Sequence, residues 1–211
     1  MFAAHVERLE PMNELGAERD PLFMVSGLRA VELGALDIPC LQRFFEQNPG
    51  YFIAVNGEVA GKNEAREEVY GEPPAGWPFT KKWLIGIVAQ NGSLVAMLNV
   101  VSDLLALKVW HIGLFMAAAE LRGTGTAQSL FLQLARWTLA GGPKRLRLGV
   151  VEGNARAQRF WQRCGFVEVR MREGAAMGKL INTVRVMAKP LVRGTLPEYL
   201  ALVERDKAQT P

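Results

Sequence analysis

The sequence predicts an α+β fold of mixed α/β character, a central and mostly antiparallel sheet flanked by helices. Two apolar runs, residues 83–88 and 93–98, flank Asn91-Gly92, a strong short-range hairpin signal, so part of the sheet is antiparallel. A third run, 109–117, passes through a glycine-containing turn into an amphipathic helix that stops at Gly141-Gly142-Pro143. A strand at 146–151 then feeds a second helix, so helices alternate with strands after the meander.

With 211 residues, 49% of them apolar, the chain can bury one substantial core. We divide it into an N-terminal arm (1–22), a domain (23–195) and a C-terminal tail (196–211). The longest apolar candidate, 94–107, is interrupted by Asn99, Ser102 and Asp103, so no membrane span is expected. The first twenty residues carry Glu, Arg and Asp where a secretory signal needs an apolar centre, and a cytoplasmic protein is expected. Cys40, Cys164 and two histidines make neither a disulfide framework nor a metal site. The net charge of +4 is scattered, without the basic stripe of a nucleic-acid binder.

In chain order, residues 28–33 alternate as a strand. Asp37 as N-cap, Pro39 in the first turn and an apolar face of Leu41, Phe44 and Phe45 mark a helix ending near Asn48-Pro49. An apolar run (51–55), a turn at Asn56-Gly57 and a charged helix (63–70) capped by Asn63 precede a Pro/Gly loop (71–78). After the hairpin and third strand, Ala127, Leu130, Phe131, Leu134 and Thr138 give the next helix its apolar face. Asn154 caps a helix bearing Ala157, Phe160, Trp161 and Cys164, which Gly165 stops. A strand to Arg172, a glycine-rich loop (173–179), a strand (183–189) and a short helix (197–203) complete the chain.

The turn Arg122-Gly123-Thr124-Gly125-Thr126-Ala127 is the chemical centre of the sequence. Glycines entering a helix leave backbone N–H groups unpaired at the positive end of its dipole, an anion site. It lacks the Gly-Lys-Ser/Thr of a Walker loop, and Gln128 stands where the dinucleotide fingerprint needs its third glycine. Arg122-x-x-Gly125-x-Ala127 instead resembles the R/Q-x-x-G-x-G/A loop of the GNAT superfamily of N-acyltransferases. The strand, Asn154, Ala157, Phe160-Trp161 and Gly165-Phe166 resemble that family's second hallmark, in the family's order.

The resemblance implies a GNAT-like sheet with a splayed strand pair, and direct acetyl transfer from acetyl-CoA, as co-substrate, to an amine of a small molecule or protein. It implies CoA contacts from the backbone of Phe115, Met116 and Ala117, from Arg122, Gly123, Thr124, Gly125, Thr126 and Ala127, and from Asn154, Phe160 and Trp161. It places no metal in the reaction and allows a homodimer through the last strands. His111, on the strand entering the loop, is the candidate base, with an ordinary pKa near 6.5. Trp161 occupies the place of the family's frequent tyrosine acid, and its indole N–H cannot act as one. That motivates a rival reading, an acyl-CoA-binding sensor or scaffold; a further rival is a non-catalytic interaction module. Arg170 and Arg172, alternate on one strand, are candidates to grip an acceptor carboxylate or phosphate.

Overall fold

The computed structural model describes residues 19–191 and 194–207, so the expected arm lies almost wholly outside the described residues. One eight-stranded sheet runs in the order β1-β2-β3-β4-β5-β6-β8-β7. Its strands are β1 (Phe23–Val25), β2 (Leu28–Glu32), β3 (Lys81–Val88), β4 (Leu94–Ser102), β5 (Val109–Ala117), β6 (Arg145–Val151), β7 (Val167–Met177) and β8 (Leu180–Pro190). Every neighbouring pair is antiparallel except β5 and β6, which are parallel because helix α4 (Thr126–Ala140) crosses between them. The mostly antiparallel, mixed α/β fold expected from the sequence is the one observed.

The central strands are buried on both faces, which explains their long apolar runs. On one face Ile85, Leu98, Trp110 and Ile112 pack under α4 and α5 (Ala155–Arg163), meeting Leu130, Phe131, Leu134 and Trp161. On the other, Leu84, Met97, Leu114 and Met116 pack under α1 (Ile38–Gln47), α2 (Pro49–Asn56) and α3 (Glu64–Tyr70) through Leu41, Phe44, Phe45 and Phe52.

One segment differs from the sequence expectation, and the apolar run 51–55, to which the sequence pattern assigns no element, is helical. The run 51–55 lies in α2, which Pro49 opens and Gly57, at φ 75°, closes. The glycine-rich loop expected over 173–179 is mostly strand: β7 continues to Met177 by absorbing extra residues as irregularities at 168/170 and 172/175, and only Gly178-Lys179 turns. This long hairpin docks on α2, where Asn182 Nδ2 donates to the Val55 carbonyl at 2.8 Å and a Cβ on Gly178 would come within 2.6 Å of the Asn56 carbonyl oxygen.

The helix expected near 197–203 is α6 (Leu196–Leu202), opened by a capping box between Thr195 and Glu198. Residues 195–206 do not stand apart as a tail but pack on the sheet. Arg145 and Arg147 are buried on β6, and the C-terminal segment brings an acid to each. Glu198 Oε2 lies 2.6 Å from Arg145 Nη2. Asp206 receives Arg147 Nε at 2.7 Å and Nη2 at 3.1 Å, and the Tyr199 hydroxyl donates to the same carboxylate.

Burial alone would raise the pKa of Asp206, but the hydrogen bonds and charge of Arg147 outweigh it and hold the carboxyl below its usual range. The stabilisation is therefore complete above the ordinary carboxylate pKa and is lost as pH falls through the depressed native value. Asp206→Asn leaves Arg147 unpaired in the interior, at a cost of about 3–5 kcal/mol. We expect a fall in Tm of roughly 10 °C at pH 7 and a smaller difference from the wild type below pH 3, read from thermal melts across pH.

Candidate active site

The parallel ladder between β5 and β6 has four pairs, from Val109↔Arg145 to Ile112↔Leu148. Beyond it the strands part: β5 continues against β4 alone and β6 against β8 alone. The parting coincides with a bulge, since Asn99 opposes Leu114 and Val100 opposes Ile112, leaving Gly113 as the extra residue. One inserted residue exchanges the faces of the strand. Trp110 and Ile112 face α4 before it and Phe115 does so after it, whereas Leu114 and Met116 turn to the α1–α3 side. Glycine suits the position because the Asn99 amide lies over it, and a Cβ would sit 3.4 Å from Asn99 Cγ.

Of the residues the resemblance assigns to CoA, Phe115, Met116 and Ala117 occupy the parted half of β5. Phe115 packs on Phe160 and Trp161, with ring centroids 5.7 and 5.3 Å apart, forming an apolar wall on the α5 side. Met116 is buried on the other face. Gly123 and Gly125 both adopt positive φ, 78° and 81°, with Gly125 the N-cap of α4. A Cβ at either would meet nothing within 4 Å, so backbone conformation rather than space requires glycine there. The N–H groups of Gly123, Thr124, Gly125 and Ala127 have no protein partner among the described residues. Thr124 steadies the turn through the Leu121 carbonyl (2.8 Å) and the Thr126 hydroxyl (2.7 Å). Arg122 extends toward Gly50 at the start of α2. Asn154 caps α5, accepting the Ala157 N–H at 3.0 Å. This geometry fits an anion at the loop and a slender chain between the parted strands.

On the α3 side, a cleft of about 230 Å³ opens over Gly113, lined by Glu67, Glu68, Trp77, Lys82, Asn99 and His111 among others. Glu68 Oε1 accepts from Asn99 Nδ2 at 2.5 Å. Burial pushes the Glu68 carboxyl above its ordinary pKa, while Asn99 and Lys82 partly oppose the shift. Lys82 donates to the carbonyls of Glu68 (2.7 Å), Val69 (3.3 Å) and Gly71, and burial lowers its pKa. Asn99 Oδ1 is buried without a partner, beside the parting point. Such an acceptor awaits a donor.

His111 lies at this cleft, paired across the ladder with Arg147, whose Nη1 is 3.3 Å from His111 Nδ1. Burial, then the charge of Arg147, lowers the imidazole pKa to about 3. A neutral ring whose Nδ1 accepts from a guanidinium carries its proton on Nε2 and is a weak proton acceptor at neutral pH. Arg170 Nη1 donates to the carbonyls of Arg205 and Lys207, and Arg172 lies over the ring of Trp77 at 5.9 Å, so both arginines come to the His111 end of the cleft.

Sequence reasoning missed Glu68, Asn99, Arg147 and Asp206. The one available signal was the Arg-Leu-Arg-Leu alternation of residues 145–148, two charges on a face that a strand within a sheet core must bury. Groups of three or more His, Cys, Asp or Glu able to hold a metal are absent among the described residues.

Since His111 binds a proton more weakly folded (about 3) than unfolded (6.5), protonation of the unfolded chain destabilises the fold as pH drops below 6.5. Between pH 7 and 5 the wild type should lose about 2 kcal/mol more stability than His111→Gln, a difference read from urea unfolding at both pH values.

Among solved structures, an acetyltransferase from Thermus thermophilus is 21% identical, aligns over 80% of this chain and 100% of its own, and superposes with a TM-score of 0.59. A spermidine N-acetyltransferase from Vibrio cholerae, in complex with CoA and spermine, is 16% identical over 78% of this chain and 96% of its own, with a TM-score of 0.60. An acetyl transferase from Salmonella typhimurium that modifies the N-terminal serine of a protein of the 50S ribosomal subunit is 15% identical over 81% and 98%, with a TM-score of 0.63. A search of curated proteins gives no match. These likenesses concern the fold. Residues 32–166 match the family model described as acetyltransferase (GNAT) family, and with that match over most of its length the chain belongs to the GNAT acetyltransferases.

Proposed function

We propose that the chain moves an acetyl group from acetyl-CoA directly to the amine of a small acceptor, with Glu68 as the proton acceptor. The observation that carries this reading is the carboxylate–amide pair Glu68–Asn99, held against the bulge where β5 and β6 part. In the reaction the acceptor nitrogen bonds to the thioester carbonyl carbon, the C–S bond breaks, one proton leaves the nitrogen and the thiol is released.

An amine of pKa about 10.4 is neutral in roughly one molecule per thousand at pH 7, so removing its proton is the step that needs the protein. Glu68 suits that task because burial moves its pKa toward neutrality without its losing access to the cleft. Asn99 orients the carboxylate through Nδ2 and offers Oδ1 to the acceptor N–H. The unpaired amides of Gly123, Thr124, Gly125 and Ala127 and the α4 dipole would hold the pyrophosphate, Arg122 adding a positive charge. Phe115, Phe160 and Trp161 would line the apolar arm.

Acetyl-CoA at about 100 times its Kd should stabilise the protein by about 2.7 kcal/mol, roughly 5–10 °C in Tm, whereas NADH and ATP should not. Gly125→Val, which forces a β-branched residue to positive φ, should abolish that shift. Glu68→Gln should bind acetyl-CoA as the wild type does yet lower kcat by about 10²- to 10⁴-fold in a thiol-release assay over an amine panel. Equal turnover by Glu68→Gln would remove Glu68 as the base. Binding without thiol release across the panel would favour the sensor reading that Trp161 motivates.

A further inference from the structure

Four guanidinium groups converge at the His111 end of the cleft: Arg147 from β6, Arg170 and Arg172 from β7, and Arg205 from the C-terminal turn. Asp206 is the carboxylate bonded within the group, and Arg147 occupies it from two nitrogens. Arg170 is committed to two backbone carbonyls. The other two are not committed. Arg172 has no hydrogen bond or ion pair among the described residues, and the buried Nε of Arg205 has no partner. Both contact the Trp77 indole, Arg205 stacking at 3.8 Å and Arg172 lying at 5.9 Å from the ring centre.

Gathering like charges in a partly desolvated place disfavours their ionised forms. Burial and then Arg147 lower the pKa of Arg172; burial and then Arg172 lower that of Arg205. Their planar forks nevertheless match the two oxygens of a carboxylate or phosphoryl group. Trp77 and His111 line the same cleft as Glu68 and Asn99, so its two ends have opposite character. The α3 end carries Glu67, Glu68 and Glu72 against the single cation Lys82, and the other end adjoins the arginines. CoA's own pyrophosphate is not the anion in question, because the loop at Gly123–Gly125 opens α4 beyond the parted end of β5, whereas Arg172 and Arg205 meet at Trp77 together with Arg147, whose partner His111 lies within the β5–β6 ladder.

We propose, resting on the acetyltransferase reading above, that the acceptor is an amine that also carries an oxyanion, a carboxylate or phosphoryl group, gripped by Arg172 and Arg205 beside Trp77 while its nitrogen meets Glu68 and Asn99. Such an acceptor is the reverse of a polyamine, whose second cation the arginines would repel.

Two measurements test this on the full chain. Thiol release is compared for matched acceptors: amines bearing a carboxylate, the same amines as carboxamides, and their phosphonate counterparts. The expected preference for an anion is tenfold or more in kcat/KM, lost in Arg172→Gln and Arg205→Gln through KM rather than kcat and partly retained in Arg172→Lys. In parallel, glutarate and inorganic phosphate are titrated into the protein against chloride at equal ionic strength, with Tm as readout, for the wild type and both glutamine variants. A shift absent from the variants supports the site without any turnover, and the stronger of the two anions identifies the group. Carboxamides reacting as well as carboxylates, or anion shifts that survive both substitutions, overturn the inference and leave the acetyltransferase reading intact. Anion binding lost in the variants, with no acceptor acetylated, overturns that reading and leaves the anion site standing.

Discussion

The ladder between β5 and β6 stops after four pairs although both strands continue, and the rest of the molecule is arranged around that stop. A strand inside a sheet cannot leave its backbone donors and acceptors unpaired in an apolar interior without cost. Both strands carry glycine immediately after their last mutual pair, Gly113 after Ile112 and Gly149 after Leu148. Gly113 accommodates the bulge and the overlying Asn99; Gly149 has Val184 Cγ1 2.9 Å from where a Cβ would stand. The outer pairings with β4 and β8 keep each strand ordered on its far side.

Charge placement follows from the same gap. With β6 bounded by β5 and β8, Arg145 and Arg147 face a layer that must be covered, and buried guanidinium groups require acids. The C-terminal segment supplies Glu198 and Asp206, with Tyr199 fully buried between them in sequence. Arg147 in turn donates toward His111, whose ring is kept neutral by burial and then by the charge of Arg147, so the segment after β8 reaches the cleft through two contacts. Neutral His111 presents no positive charge to an amine that must itself lose a proton. A neutral imidazole of lowered pKa is a weak proton acceptor, and on the reading proposed above that work falls to the carboxylate on α3.

What the sequence disclosed was local. The hairpin at Asn91-Gly92, the α4 and α5 faces, the Asn154 cap and the glycine loop are each encoded within about twenty consecutive residues, and each is where the pattern put it. The cleft was not legible, because Glu68, Asn99, His111 and Asp206 come from four separate elements and meet only through sheet order. Glu68 read as one charge among several on a solvated helix; nothing in its neighbours announces that Asn99 lies 2.5 Å away. Asp206 fell in a stretch whose composition resembles a fraying end, and its partner Arg147 stands 59 residues earlier. Arg170 and Arg172 were legible as a pair on one strand, but their uncommitted partner Arg205 was not.

Trp161 raises the question of what protonates the departing sulfur, since the indole is packed among Phe115, Phe131, Phe160 and Phe166 and has no acidic proton to give. The comparison of pKa values makes this a lesser demand than the one at nitrogen. An alkyl thiol of the cysteine type has a pKa near 8.5, so its thiolate is a stable leaving group close to neutral pH and can take a proton from solvent afterwards. The acceptor ammonium, near 10.4, lies more than three units from neutrality and must be deprotonated before it can attack. A site under that asymmetry gains more from a carboxylate of raised pKa than from an acid at the sulfur.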